Sequence, residues 1–268
     1  MSIIGQIEDF LSFREFYQVL EEMILNLVFK MMSLKQELLK LTIVVLFLKG
    51  IQNAIIKIND GQIEGSEMNS RLGKTFHAFR GIPFAKPPIC ELRFEDPWPV
   101  DPWKNVLNAQ NDGPICPQPT TFGTFKTSED CLHLNVYTEV LPSGENVKLK
   151  PVIAYIHGGG FVVGSGISEG FAGPEIIMDR DIVFVTMNYR LASLGFLSTG
   201  TKEAPGNVGF KDQVMALKWI QKNIAYFGGD PNLVTIAGQS AGGMSVSVHM
   251  VSPMSTGLFH RVVQLLGK

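Results

Sequence analysis

The spacing of apolar residues changes character along the chain. Phe13, Phe16, Tyr17, Leu20, Ile24, Leu27, Val28 and Met31 recur every three or four positions, which predicts an amphipathic helix. An unbroken apolar run, Leu41 to Leu48, follows. From residue 54 onward short strands and helices alternate. Ala54–Ile58 and Gln62–Glu64 flank Asn59-Asp60-Gly61, a hairpin signal. Gly81 to Ser128 is loop-rich and holds most of the prolines. Leu132–Tyr137 alternates like a strand, and Pro142 to Lys150 is a polar turn. Val152–Ile156 and Ile182–Thr186 are short apolar runs, as expected of central strands buried on both faces. Val214, Leu217, Ile220 and Ile224 predict a helix over Asp212–Tyr226, stopped by Gly228-Gly229-Asp230-Pro231. Leu233–Ala237 reads as a strand and Ala241–His249 as a helix. The alternation predicts an α/β fold with a mostly parallel central sheet and helices on both faces.

Between that last strand and helix lies Gly238-Gln239-Ser240-Ala241-Gly242. A serine between glycines serves neither a strand nor a helix interior, because glycine packs nothing there and loses backbone entropy. The pattern makes sense if the chain turns sharply at Ser240 and lifts its hydroxyl above the sheet. A helix that starts just past Ser240 would aim its first N–H groups, and the positive end of its dipole, at developing negative charge. A second element agrees with this. His157-Gly158-Gly159-Gly160 follows directly on the strand Val152–Ile156, where bare backbone can approach a ligand. The N–H groups of Gly159, Gly160 and Ala241 would be the donors of an oxyanion hole, each worth about 3 kcal/mol to a tetrahedral transition state. His157 reads as an orienting residue of this loop rather than a base. His133 falls in a strand, His249 two to three turns along the helix after Ser240, and His260 in the terminal segment.

Composition narrows the class. The 268 residues are 45% hydrophobic and 18% charged, enough for one large domain and against general disorder. A net charge of -2 gives no reason to expect nucleic acid. Cys90, Cys116 and Cys131 are too few for a disulfide-built scaffold; one pair and one odd thiol is the simple reading for a secreted chain. Met32, Lys35 and Lys40, the run to Leu48 and then Gln52-Asn53-Ala54 have the order of a secretory signal: basic start, apolar centre, small residue at the cut. The run is short of the ~20 residues that span a bilayer, so stable membrane insertion is not expected. The expected organisation is an extension over 1–30, a signal peptide over 31–54 and the catalytic-type domain over 55–268. Residues 1–30 sit awkwardly ahead of a signal, either because translation starts at Met31 or Met32 or because the extension is a genuine helix.

Taken together, the motifs resemble the type-B carboxylesterase and cholinesterase family of α/β-hydrolases. The resemblance runs through Phe79-Arg80-Gly81-Ile82-Pro83-Phe84-Ala85-Lys86-Pro87-Pro88, Glu129 to Tyr137, His157-Gly158-Gly159-Gly160-Phe161, Asn188-Tyr189-Arg190, Ala204 to Gly209, and Phe227-Gly228-Gly229-Asp230-Pro231 leading into the Ser240 turn. It implies a serine carboxylic-ester hydrolase that forms an acyl-enzyme on Ser240. Gly159, Gly160 and Ala241 would be its oxyanion donors, and Gly238, Gln239 and Gly242 the frame of its elbow. It further implies a Cys116–Cys131 disulfide, a small-molecule ester as substrate, no metal and no cofactor, and an extracellular location. Cys90 stands where the family has glycine, and His133 where it has an aromatic. Gln239 and the secretory-type start are most similar to arthropod secreted esterases.

The family's triad acid lies over a hundred residues past the serine and its histidine as far again, whereas this sequence runs 28 residues past Ser240. The expected object is therefore the N-terminal part of such an enzyme, with the sheet ending at or near the elbow strand, an exposed edge, low solubility and little activity of its own. Other readings are a catalytically silent decoy, or a binding or adhesion domain on the same fold. The intact Ser240 argues against the last.

Overall fold

The computed structural model describes residues 54–119, 126–144, 147–167 and 173–265, and, nearer the N-terminus, residues 23, 25–27, 29–38 and 40. The chain divides into two units, Met1–Gln52 and Asn53–Lys268. In the first, every described residue is helical and exposed, Phe29, Met32 and Leu34 included. This helix covers the last part of the stretch read as amphipathic and continues past Met31 to Lys40, where the basic start of a signal was expected. The apolar run 41–48 and the first 22 residues lie outside the described residues. Among the described residues no helix is long and apolar enough to cross a membrane.

The second unit opens with the hairpin β1 (Ile55–Ile58) and β2 (Gly61–Glu64), as expected from Asn59-Asp60-Gly61. Strands β3 (Ser66–Asn69), β4 (Thr75–Pro83), β5 (Leu107–Asn108), β6 (His133–Thr138), β7 (Lys150–Ile156), β8 (Val183–Met187), β9 (Gly229–Gln239) and β10 (Arg261–Leu265) follow. The helices are α1 (Pro174–Ile177), α2 (Ala192–Phe196), α3 (Val208–Asn223) and α4 (Ala241–Val251). Seven strands form the main sheet in the order β10-β9-β7-β8-β6-β4-β3, and β1, β2 and β5 form a small separate one. The parallel character expected is that of β8, β7, β9 and β10; β6, β4 and β3 extend the sheet antiparallel.

The main core lies on the face of Val152, Ala154, Ile156, Val183 and Val185, under Leu217 and Ile220 of α3 and Val246 of α4. The opposite face carries Ile153, Tyr155 and Phe184 against Met178 and Ile177 at the end of α1. Strand β8 is buried at every residue, as a central strand should be. Strand β7 alternates buried and half-buried residues, so its second face is only thinly covered. Helix α3 begins at Val208, ahead of the expected Asp212, because Asn207 enters it from a left-handed conformation with no capping side chain to mark the start.

Among the described residues the sheet runs one strand past the elbow strand, close to where it was expected to end. β10 pairs in parallel with β9, Val262 opposite Ile236 and Gln264 opposite Gly238. Among the described residues β10 forms one edge of the sheet, and all five of its residues are exposed. The loop-rich stretch is tied to the core by a disulfide between Cys116 and Cys131, as the resemblance implied, whereas Cys90 is free and exposed. A crosslink over 15 residues is worth about 3 kcal/mol in the loop-entropy picture.

Candidate active site

β-branched Val234, Thr235 and Ile236 carry β9 up through the sheet to Gly238, after which the chain reverses into α4. Ser240 sits at the reversal with φ 55° and ψ -120°, a conformation that non-glycine residues rarely adopt. The neighbouring glycines explain how the strain is held. A Cβ on Gly238 would strike the backbone of Gly242, and one on Gly242 would strike the Ile156 carbonyl. Strand end, turn and helix start are thus pressed together with no room for a side chain. The Ser240 N–H donates to the Leu265 carbonyl at 2.8 Å, so β10 braces the turn from outside. The serine itself stays half-buried and within reach of solvent.

The glycine loop after β7 lies against this turn. A Cβ on Gly158 would be 2.6 Å from the Gln239 carbonyl oxygen and 3.2 Å from Ser240 Cβ. Val162 and Val163 N–H both donate to the Gly159 carbonyl at 3.0 Å, which closes the loop on itself. Among the described residues no acceptor receives the N–H groups of Gly159, Gly160 or Ala241. These are the three N–H groups that the sequence reading offered as donors, and the loop that carries Gly159 and Gly160 meets the Ser240 turn at Gly158.

Several side chains fix the loop: His157, which the sequence singles out as an orienting residue, and Tyr189, Gln118 and a phenylalanine cluster, to which it assigns no such part. His157 is buried and stacks on Tyr189 at 4.3 Å, and the Tyr189 hydroxyl donates to the His157 carbonyl at 2.9 Å. The His157 Nδ1–H donates to the Gly158 carbonyl at 2.7 Å, while Nε2 is buried without a partner. Burial drives its pKa down to about 4, against the opposing pull of the Gly158 carbonyl, so the ring is neutral at pH 7. Its geometry is that of an orienting group. Gln118, two residues past the disulfide at Cys116, clamps Gly164 from both sides: its amide donates to the Gly164 carbonyl at 2.8 Å and its carbonyl accepts the Gly164 N–H at 2.7 Å. Phe161, Phe196 and Phe210 meet edge to face at 5.2 to 5.5 Å and anchor the far end of the loop on α2 and α3. Spacing alone does not reveal such contacts, since the partners come from separate segments.

The remaining histidines lie elsewhere. His133 is half-buried in β6, and burial lowers its pKa. His249 is buried in α4, hydrogen-bonded to Gln213 and Ser255. His260, which had no partner in the sequence reading, pairs through its backbone and Nδ1 with Val234. Among the described residues no side chain hydrogen-bonds the Ser240 hydroxyl, and no group of His, Cys, Asp or Glu could hold a metal ion. The arrangement places a half-buried serine at a strained turn, with the glycine loop packed against that turn at Gly158.

A strand–serine–helix turn facing a glycine loop at the ends of parallel strands defines an α/β-hydrolase. The chain belongs to the carboxylesterase family, whose pattern matches residues 52–267. It is 50% identical over 210 residues to juvenile hormone esterase of Tribolium castaneum, covering 77% of this chain and 35% of that protein. It is 48% identical over 213 residues to esterase FE4 of Myzus persicae, covering 78% and 37%. Its fold matches the crystal structure of juvenile hormone esterase from Manduca sexta, with OTFP covalently attached, at a TM-score of 0.75 and 38% identity over 80% of this chain and 41% of that one. The chain thus spans about two-fifths or less of the length of these relatives.

Proposed function

We propose that this chain is the nucleophile-bearing part of a secreted serine esterase that hydrolyses small-molecule carboxylic esters. Ser240 attacks the ester carbonyl and forms an acyl-enzyme, and Gly159, Gly160 and Ala241 N–H groups receive the oxyanion. The observation that carries this reading is a strained, half-buried serine with the glycine loop packed against its turn at Gly158. Strain at a serine is maintained only where surrounding structure enforces it, and here Gly238, Gly242 and Gly158 let the strand end, helix start and loop close in on the turn. Among the described residues no side chain hydrogen-bonds the Ser240 hydroxyl, and the turnover proposed is that of the whole protein.

A fluorophosphonate probe should label the protein on Ser240, located by peptide mass, and Ser240→Ala should abolish labelling and lower ester turnover by about 10⁶-fold. Labelling that persists in Ser240→Ala would overturn the assignment. The lack of a hydrogen-bond partner on the Ser240 hydroxyl favours a second reading, in which the 268-residue product is catalytically silent; sequencing the transcript past the Lys268 codon separates the two. Secretion through a signal over residues 31–54 predicts that N-terminal sequencing of the exported protein begins near Ile55. A mature chain that retains Phe13 is incompatible with it.

A further inference from the structure

The first turn of α4 has an unusual shortage of anchors. Its residues Ala241, Gly242 and Gly243 carry almost no side chain, Met244 is exposed, and Ser240 offers no capping bond. The first buried polar side chain of the helix is Ser245. Its hydroxyl donates back to the Ala241 carbonyl at 3.0 Å. It accepts in turn from the Gln213 amide at 3.1 Å, across from α3. The Gln213 carbonyl faces His249 Nε2 at 2.8 Å, and His249 Nδ1 faces the Ser255 hydroxyl at 2.8 Å. Ser245, Gln213, His249 and Ser255 are all essentially inaccessible to solvent.

Proton counting gives this chain one direction. Ser245 has a single proton and spends it on the Ala241 carbonyl. Gln213 must therefore donate to Ser245 and present its oxygen to His249. His249 must carry its proton on Nε2 and accept the Ser255 hydroxyl on Nδ1. Every hydrogen bond then points the same way, from the segment after α4 to the carbonyl of Ala241, in the peptide that joins Ala241 to Gly242, and bonds aligned in this manner strengthen one another. Burial keeps the ring neutral, with its pKa near 4, so the order holds at pH 7. Leucine and methionine could fill the same volume at little or no loss of stability. What an apolar filling cannot supply is a fixed orientation for one peptide group.

We propose that Ser245, Gln213 and His249 are positioning residues for the elbow: a buried one-way relay that sets the place of residue 241, and with it the Ala241 N–H offered to the oxyanion. The inference rests on the esterase reading for its function, but not for its geometry. The test uses the full chain with Ser245→Ala, Gln213→Met and, as the conservative variant, Ser245→Thr, which keeps a hydroxyl able to bond the carbonyl four residues back. Hydrogen exchange over 240–244, read at the hydrogen-bonded Ser240 and Met244 amides, should accelerate about tenfold in the first two, the equivalent of one lost hydrogen bond. Fluorophosphonate labelling of Ser240 should slow about 100-fold, as for a small misplacement of a reacting group. Ser245→Thr should restore both. Variants that melt earlier yet leave the 240–244 exchange unchanged, or a Ser245→Thr no better than Ser245→Ala, would overturn the relay. An unmutated protein that resists the probe would count against the esterase reading instead, and the exchange measurement would still decide on the relay.

Discussion

Acidification from pH 7 to pH 4 is expected to lower the stability of the fold by about 3 kcal/mol for each of His157 and His249. Both rings are buried, and burial brings each down to about 4 from the ordinary 6.5. The unfolded chain therefore binds more protons than the folded one between those values, and stability must rise with pH across the window. The contribution is complete above about pH 6.5 and is lost as the pH falls through about 4. His133, lowered by burial, acts with the same sign; Asp212, raised by burial against the pull of Arg190, acts with the opposite one. Urea unfolding measured at steps from pH 7 to pH 4 checks this, with a slope approaching two protons near pH 5. A flat profile would mean that the imidazoles reach water in the folded state. The glycine loop should yield first, because a proton on His157 Nε2 has no acceptor among the described residues. His249, hydrogen-bonded on both nitrogens, meets its charge at the α3–α4 contact.

Neither buried histidine could be recognised as such from spacing. The sequence placed His157 at a strand end and His249 on a helix, which is where the fold has them, but burial depends on what packs from elsewhere. The same division runs through the whole structure. The hairpin at Asn59-Asp60-Gly61, the strand His133–Thr138 and the turn at Ser240 were legible because each is written in local chemistry: a turn residue, an alternation, glycines that forbid side chains. The two antiparallel strands beyond β6, β4 and β3, were not, because β4 overlaps the motif Phe79–Pro88, which reads as part of a family resemblance rather than as a strand, and β3 is only four residues long. β10 was missed for a different reason. Arg261–Leu265 is short and fully exposed, so it lacks the alternation that marks a half-buried strand, and only its ladder to β9 reveals it. At the site, the sharp turn at Ser240 and the close approach of the glycine loop could be read from glycine placement. Gln118, Tyr189 and the partners of Phe161, Phe196 and Phe210, could not, since each reaches the loop from a separate segment of the chain.

The buried ion pair beneath α3 carries the other large expectation. Arg190 donates through Nε and Nη2 to the two carboxylate oxygens of Asp212 at 2.8 and 2.7 Å, and its own N–H adds a third bond at 3.0 Å. Both side chains are almost wholly out of water, at 3% and 0% exposed. Coulomb attraction there is strong, but so is the desolvation that opposes it, and the pair as a whole adds little net stability. Breaking it is another matter. Asp212→Ala leaves a guanidinium, with Nη1 already lacking a partner, in a site that offers it no compensating charge. The loss should be about 3–5 kcal/mol, read as a lower urea midpoint at unchanged slope. Replacing both residues together, as Arg190→Met with Asp212→Leu, should recover most of it, because no charge is then stranded. The site gives a second readout. Arg190 follows Tyr189, whose hydroxyl and ring hold His157, and its carbonyl sits where a Cβ on Gly209 would reach within 2.6 Å. The pair therefore fixes the segment that orients the glycine loop against α3. The double replacement should regain stability while labelling of Ser240 stays slowed, because apolar packing restores the volume without the three directed bonds. Equal recovery of stability and labelling would show that the pair acts on the fold alone.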